Sequence, residues 1–355
     1  MEVIGEQMLN EPLVAIIVPV YNTEKYVEEC LQSLQKQNYG NYIVIMINDG
    51  STDNSINVLQ KFKNENKNFI LINKHNGGVS SARNAGMNYL KSLLEHPKYI
   101  GFIDSDDKVT ENYIGTFVEN LEKFNVDYGV CSFATFDKKG INYNKNIPLK
   151  RKMTKSDIIN QYFGSNEWKF SHHKTPSTHA YFLNNKFFKY KIIETQRFDE
   201  SISNCEDQKF FIESLDSLQN GVCIPDLLFL YRLRSSSCTH KFSNNQDLVA
   251  LWVYTNIIKN INSNLIILRQ QIVKKILYYS WKIIICYLSR NHHTIDYSIY
   301  DQCRRNFFSY LSCAIRFYPF RLMQLILGKS IIKYFFLKKT NRLEKSIIDR
   351  KSEFD

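Results

Sequence analysis

An apolar run at residues 99–103 ends on Asp104-Ser105-Asp106-Asp107. Two carboxylates one residue apart, carried to a sheet edge by a strand, suit a hard divalent cation that also takes phosphate oxygens as ligands. The competing reading is a loop with a helix N-cap, because Asp-Asp-Lys precedes a helical pattern from Thr110. Asp49-Gly50-Ser51-Thr52-Asp53 ends another strand-like run. It reads either as a capped turn or as a place where Asp49 accepts the N–H of a nucleobase. Asn76-Gly77-Gly78 gives way to a helix start with Arg83 one turn in, which favours an anion such as a diphosphate; an ordinary helix with a surface arginine fits the same residues. Glu206-Asp207 opens an amphipathic pattern with Phe210, Phe211, Leu215 and Leu218, where first-turn acids are stabilised by the helix dipole. Neither the G-x-x-x-x-G-K-[ST] nor the G-x-G-x-x-G spacing occurs. His172, His173 and His179 cluster without a metal-ligand spacing.

These residues need elements to hold them. Residues 13–20 form a continuous apolar run that stops at Pro19-Val20-Tyr21-Asn22, the pattern of a buried strand ending in a loop. Val27, Cys30, Leu31 and Leu34 then repeat at helical spacing, and residues 42–47 are a second β-branched strand. Helix at 55–62, strand at 69–72, helix at 80–94 and strand at 99–103 continue the alternation. Such alternation predicts a parallel sheet with helices on both faces and ligands at the carboxyl ends of its strands. All the unusual loops fall at those ends. Residues 137–188 are rich in Lys and Asn and poorly periodic, which predicts irregular segments over the site. From residue 241 the texture changes to long helical patterns, so we expect an N-terminal extension at 1–11, a catalytic domain at 12–240 and a helical, basic region at 241–355.

Composition narrows the function. With 44% hydrophobic and 14% aromatic residues, the chain carries far more apolar area than a disordered one. A formal charge of +11 implies an anionic partner but does not choose between nucleic acid, membrane and a phosphorylated substrate. Eight scattered cysteines without a C-x-x-C pair argue against a zinc site or a disulfide framework and fit a reducing compartment. No signal peptide or membrane span is expected, which predicts a cytoplasmic protein. Apolar and basic residues alternate on a helical period at 248–289 and 306–343. Those helices either pack with a solvated basic face or seat peripherally on an anionic membrane surface.

Six motifs in order, Pro19-Val20-Tyr21-Asn22, Asp49-Gly50-Ser51-Thr52-Asp53, the 76–86 stretch with Ala82-Arg83-Asn84, Asp104-Ser105-Asp106-Asp107, Glu206-Asp207 and Tyr231-Arg232 with the serines after it, resemble the inverting glycosyltransferases of family 2. The resemblance covers about residues 13–240. It implies the GT-A fold, a Rossmann-like α/β architecture with a mainly parallel sheet flanked by helices. It implies a UDP-sugar donor, Mn²⁺ or Mg²⁺, and a glycan or lipid-linked glycan acceptor in capsule, lipopolysaccharide or teichoic-type assembly. Tyr21 and Asp49 would then contact the base, Arg83 the base or diphosphate, and Asp104 the ribose or donor sugar, with Pro19, Asn22, Asn76 and Ser105 lining the nucleotide-sugar. Asp106 would hold the metal with Asp104, and His240 would complete its shell or close over the diphosphate. One of Glu206-Asp207, assigned here to Asp207, would be the general base. Where the family more usually has Arg-x-His-x-x-Ser, this sequence has Arg234 and three serines. The rival readings are a nucleotidyltransferase, for which the first strand lacks a phosphate-cradling signature, and a nucleic-acid-binding protein, for which no binding motif is present; no nucleic-acid partner is expected.

Overall fold

A computed structural model of the chain describes residues 11–143, 148–163, 182–234, 244–289 and most of 301–310. It divides into two compact units after Arg234.

The first unit begins as the alternation predicts. β1 (Val14–Val20), β2 (Tyr42–Asp49), β3 (Phe69–Lys74) and β4 (Tyr99–Phe102) are joined by α1 (Val27–Gln35), α2 (Ser55–Glu65) and α3 (Gly78–Ser92). They pair in parallel in the order β3-β2-β1-β4. Every residue of β1 is buried, as a strand covered on both faces requires. The second half is mixed. β5 (Lys108–Val109), α4 (Tyr113–Phe124), β6 (Tyr128–Asp137), β7 (Gly140–Asn142), β8 (Arg151–Thr154), α5 (Lys155–Phe163), β9 (Lys186–Lys189), α6 (Tyr190–Ile193), α7 (Glu206–Ser214) and β10 (Asn220–Arg232) follow. β10 runs parallel to β6, and β9 lies antiparallel between β4 and β6.

Two expectations are corrected. The acidic loop does not cap a helix: Asp107 leads into β5, and α4 starts only at Tyr113, after Asn112. The 137–188 stretch is not wholly irregular, since β7, β8, α5 and the start of β9 lie within it. These elements are too short to register as periodicity, and β8 shows solvent three of its four residues. β9 is the reverse case, with Lys186, Phe187 and Phe188 all buried.

Chain reversal at β9 brings Phe187 beside Gly101 of β4, where a Cβ would stand 2.6 Å from the Phe187 ring. That ring cannot move aside, because it stacks on Phe117 at 4.2 Å between centroids. Gly101→Ala is therefore expected to destabilise the protein by about 1–3 kcal/mol, the usual cost of overpacking, read as a lowered urea midpoint at unchanged slope.

In the second unit, α8 (Asn244–Asn260) and α9 (Ile266–Ser289) bury Val253, Tyr254 and Ile257 and Leu268, Ile272, Ile276 and Leu277 at helical spacing. Tyr254 stacks on Tyr279, and Lys282 pairs with Asp247 at 2.7 Å. Among the described residues no helix is long and apolar enough to cross a membrane. Most of the basic 306–343 pattern lies outside the described residues.

Candidate functional site

The loops after β1, β2, β3 and β4 meet at one edge of the sheet. Asn22 takes a left-handed conformation (φ 51), which places its Oδ1 to accept from the Thr52 amide at 2.8 Å while its own amide donates to Ser51 Oγ at 3.2 Å. Gly50 is also left-handed (φ +71), and a Cβ there would stand 2.8 Å from the Asn76 nitrogen, so only glycine fits. Pro19 sits within β1 opposite Ile47 of β2. Tyr21 leaves the edge 49% exposed, a flat ring free to meet a ligand.

Asp49 is tied into the same edge. Its carboxylate accepts from Lys74 Nζ at 2.5 Å and from the Gly77 and Gly78 amides at 3.0 and 2.8 Å, and its carbonyl accepts from Asn76 Nδ2. The expected nucleobase acceptor thus fastens the start of α3. The side chain is 3% exposed.

Arg83 occupies the centre of the site rather than its surface. Its guanidinium donates to Asp104 Oδ1 at 2.9 Å, to Glu206 Oε1 at 3.1 Å and to Asp207 Oδ1 at 2.6 Å. It also lies over the Phe198 ring at 5.2 Å. With the side chain 2% exposed, it is buried where the sequence allowed a surface arginine. The three surrounding carboxylates keep it firmly protonated against the cost of burial. Next to it, Asn84 clamps the 198–200 segment: it accepts from the Phe198 amide and donates to the Phe198 carbonyl and Glu200. That segment leads through Cys205, left-handed at φ 66, into α7. The bend aims Glu206 and Asp207 back at α3.

The acidic loop is tied down residue by residue. Ser105 Oγ is 3.0 Å from Thr23 Oγ1. Asp107 accepts from the Arg232 amide and from Asn184 Nδ2, joining β10 and the 182–185 turn to the loop. Asp106 Oδ2 lies 2.8 Å from Arg234 Nε, and its carbonyl accepts from Arg232 Nε. Arg232 also pairs with Glu29, and Lys108 does the same. Burial raises the Asp106 carboxyl, and the neighbouring Asp104 charge raises it further against the pull of Arg234. A divalent cation between Asp104 and Asp106 would relieve that repulsion with two hard oxygens, so the pair fits such an ion. Among the described residues no three metal-binding side chains converge. His240, His172, His173 and His179 lie outside the described residues.

Asp207 is the strongly perturbed acid. Burial pushes its carboxyl up to about 7, with Glu206 and Asp104 adding to the rise and Arg83 and Lys186 opposing it. Sequence reading missed Lys186 and its neighbours. Asn184, Asn185 and Lys186 are at most 1% exposed. A polar triplet bracketed by Phe182-Leu183 and Phe187-Phe188 was the one signal in the sequence, and it is ambiguous because Asn and Lys ordinarily face water.

A mainly parallel α/β sheet with an acidic loop at the carboxyl end of β4 and acids opening a later helix defines a GT-A transferase scaffold. Residues 15–189 match the profile of "Glycosyl transferase family 2". "Glycosyltransferase GlyG" of Streptococcus pneumoniae is 30% identical over 234 residues, 63% of this chain and 72% of that one. The chain belongs to glycosyltransferase family 2. "Minor teichoic acid biosynthesis protein GgaA" of Bacillus subtilis is 30% identical over 62% of this chain, which spans 47% of GgaA and under two-thirds of several other curated relatives. Among solved structures, S. aureus TarS 1–349 in complex with UDP-GlcNAc is similar at TM-score 0.58, covering 76% of this chain and 80% of that one. Its 17% identity makes that a likeness of fold.

Proposed function

We propose that the chain is a metal-dependent inverting glycosyltransferase that moves a hexose or N-acetylhexosamine from a UDP-sugar to a glycan acceptor in surface-polysaccharide assembly, of capsule, lipopolysaccharide or teichoic type. The observation that carries the reading is the Arg83 hub, which holds the donor-side acid Asp104 and the acid pair Glu206-Asp207 in one cluster. The UDP-GlcNAc bound to TarS and the teichoic-acid role in GgaA's name support the donor and the setting.

On this reading, Tyr21 offers a face to the nucleobase at the edge built by Asn22, Asp49 and Asn76. Asp104 and Asp106 would hold Mn²⁺ or Mg²⁺, whose charge would offset that of the diphosphate leaving group. Asp207 takes the proton of the acceptor hydroxyl as its oxygen bonds to the anomeric carbon and the bond to the diphosphate breaks. A base facing the carbon opposite the leaving group inverts it, so an α-linked donor gives a β-glycoside. NMR of the product tests this: an α-linkage would overturn the single-displacement reading.

Asp106→Asn is expected to abolish turnover while melting at the wild-type temperature, because an amide is a poor ligand for a hard cation. A donor screen with UDP-Glc, UDP-Gal, UDP-GlcNAc and UDP-GalNAc, following UDP release with Mn²⁺ and with EDTA, measures it. Full activity of the variant, or of the wild type in excess EDTA, would remove the metal from the reading.

A further inference from the structure

Lys186 is a fully buried cation for which the reaction as described has no use. It begins β9, which runs antiparallel beside β4, so it enters the sheet at the edge where β4 delivers the acidic loop. The turn before it is fixed on three sides. Asn184 donates to Asp107 and its carbonyl accepts from Tyr113, while Asn185 donates to the Cys131 carbonyl. From that turn, Lys186 Nζ donates to the Phe182 carbonyl and to Asn185 Oδ1, both at 2.7 Å. It lies 5.8 Å from the Phe211 ring. Phe211 is one helical turn after Asp207, so ammonium and carboxylate flank the same face of α7.

A buried ammonium is costly, and Gln or Met would fill the same space at less cost. We propose that Lys186 is a positioning residue for the base, an ammonium sealed behind the first turns of α7 whose charge holds Asp207 as a carboxylate when the acceptor hydroxyl arrives. The inference rests on the reading of Asp207 as general base. The charges facing Asp207 come from four elements: Arg83 on α3, Asp104 after β4, Glu206 on α7 itself and Lys186 on β9. Arg83 is shared among three carboxylates, and Lys186 is a second cation that favours the ionised form of Asp207. Burial lowers Lys186 to about 7, with Cys131 and then Asp207 opposing that fall, and Lys186 in turn opposes the rise of Asp207. Each charge favours the ionised form of the other.

The test is the pH dependence of kcat at saturating donor and Mn²⁺ for the wild type, Lys186→Met, Lys186→Arg and Phe211→Leu, with Asp207→Asn in the same series. Lys186→Met should move the acid limb up by about half to one unit, a roughly 3- to 10-fold loss of turnover one unit below the wild-type limb, with the alkaline plateau largely kept. Lys186→Arg should keep the limb near its wild-type position, and so should Phe211→Leu, which loosens the packing without removing the charge. Limb position does not depend on the fraction of active enzyme, so poor folding of a variant leaves the readout intact. An unmoved limb in Lys186→Met, or an equal shift in Phe211→Leu, overturns the inference. Near-normal turnover of Asp207→Asn instead overturns the base assignment beneath it.

Discussion

Asp207→Asn is expected to lower kcat by about 10²–10⁴-fold with little change in donor affinity, the share that general-base catalysis ordinarily contributes. A sugar hydroxyl is a weak nucleophile at neutral pH, and an amide cannot take its proton. The residue's burial sets the pH window. Asp207 must be ionised to act and is pushed up to about 7, so wild-type turnover should fall as pH drops below that value. The same displacement fixes the sign of the stability change. A carboxyl whose folded-state value is raised loses stability as pH rises through that value, so ionised Asp207 subtracts from stability at pH 8. The Asn variant should therefore melt no lower than the wild type at pH 8. A variant that was inactive and also melted several degrees lower would mark Asp207 as structural. Glu206→Gln should be milder in turnover, since Glu206 shares Arg83 with Asp207 and, on the proposed reading, orients its neighbour or the acceptor.

Arg83→Met should cost about 3–5 kcal/mol and abolish turnover. Removing one partner of a buried ionic cluster leaves the others charged and unpaired, and here Glu206 and Asp207 are each only 15% exposed. Asp104, 34% exposed, contributes less because water screens it. In melting temperature the loss is roughly 6–20 °C. It should also depend on pH in a defined direction. Without the guanidinium the Asp207 carboxyl rises further in the folded state, so the deficit grows from pH 5.5 to pH 8 as it ionises. Arg83→Lys keeps one charge but lacks a fork that reaches three acids, and should fall between. A pH-independent deficit of under 1 kcal/mol would show that the hub is not electrostatic.

The first half of the fold was open to sequence reading because its signals are local. β1 to β4 are unbroken apolar runs, the intervening helices repeat at 3.6 residues, and the acids sit where strands stop. What periodicity could not show is partnership. Asp49 faces Lys74 and the glycine amides only because β2 and β3 lie side by side in a given register. Arg83 looks like a surface residue one turn into a helix until the 198–207 segment is folded against it. The N-cap reading of Asp107 failed for the same reason: the two-residue β5 that follows is a strand only by virtue of β10. Within 182–188, a buried polar triplet that enters a four-residue strand only at Lys186 left too few positions for any period to emerge.

The hub around Arg83 joins residues far apart along the chain, with 21 positions separating it from Asp104 and 124 from Asp207. During synthesis the amino-terminal strands and their helices can assemble from neighbouring contacts while α7 has yet to leave the ribosome. Through that interval Asp104 is the sole hub acid already made, and the guanidinium must keep its water. The contacts that join Arg83 to α7 close loops of more than a hundred residues and carry a correspondingly large closure entropy. A nascent chain thus has the parallel half of the sheet before it has the acids of α7, and the step that seals Arg83 is also the step that completes the hub.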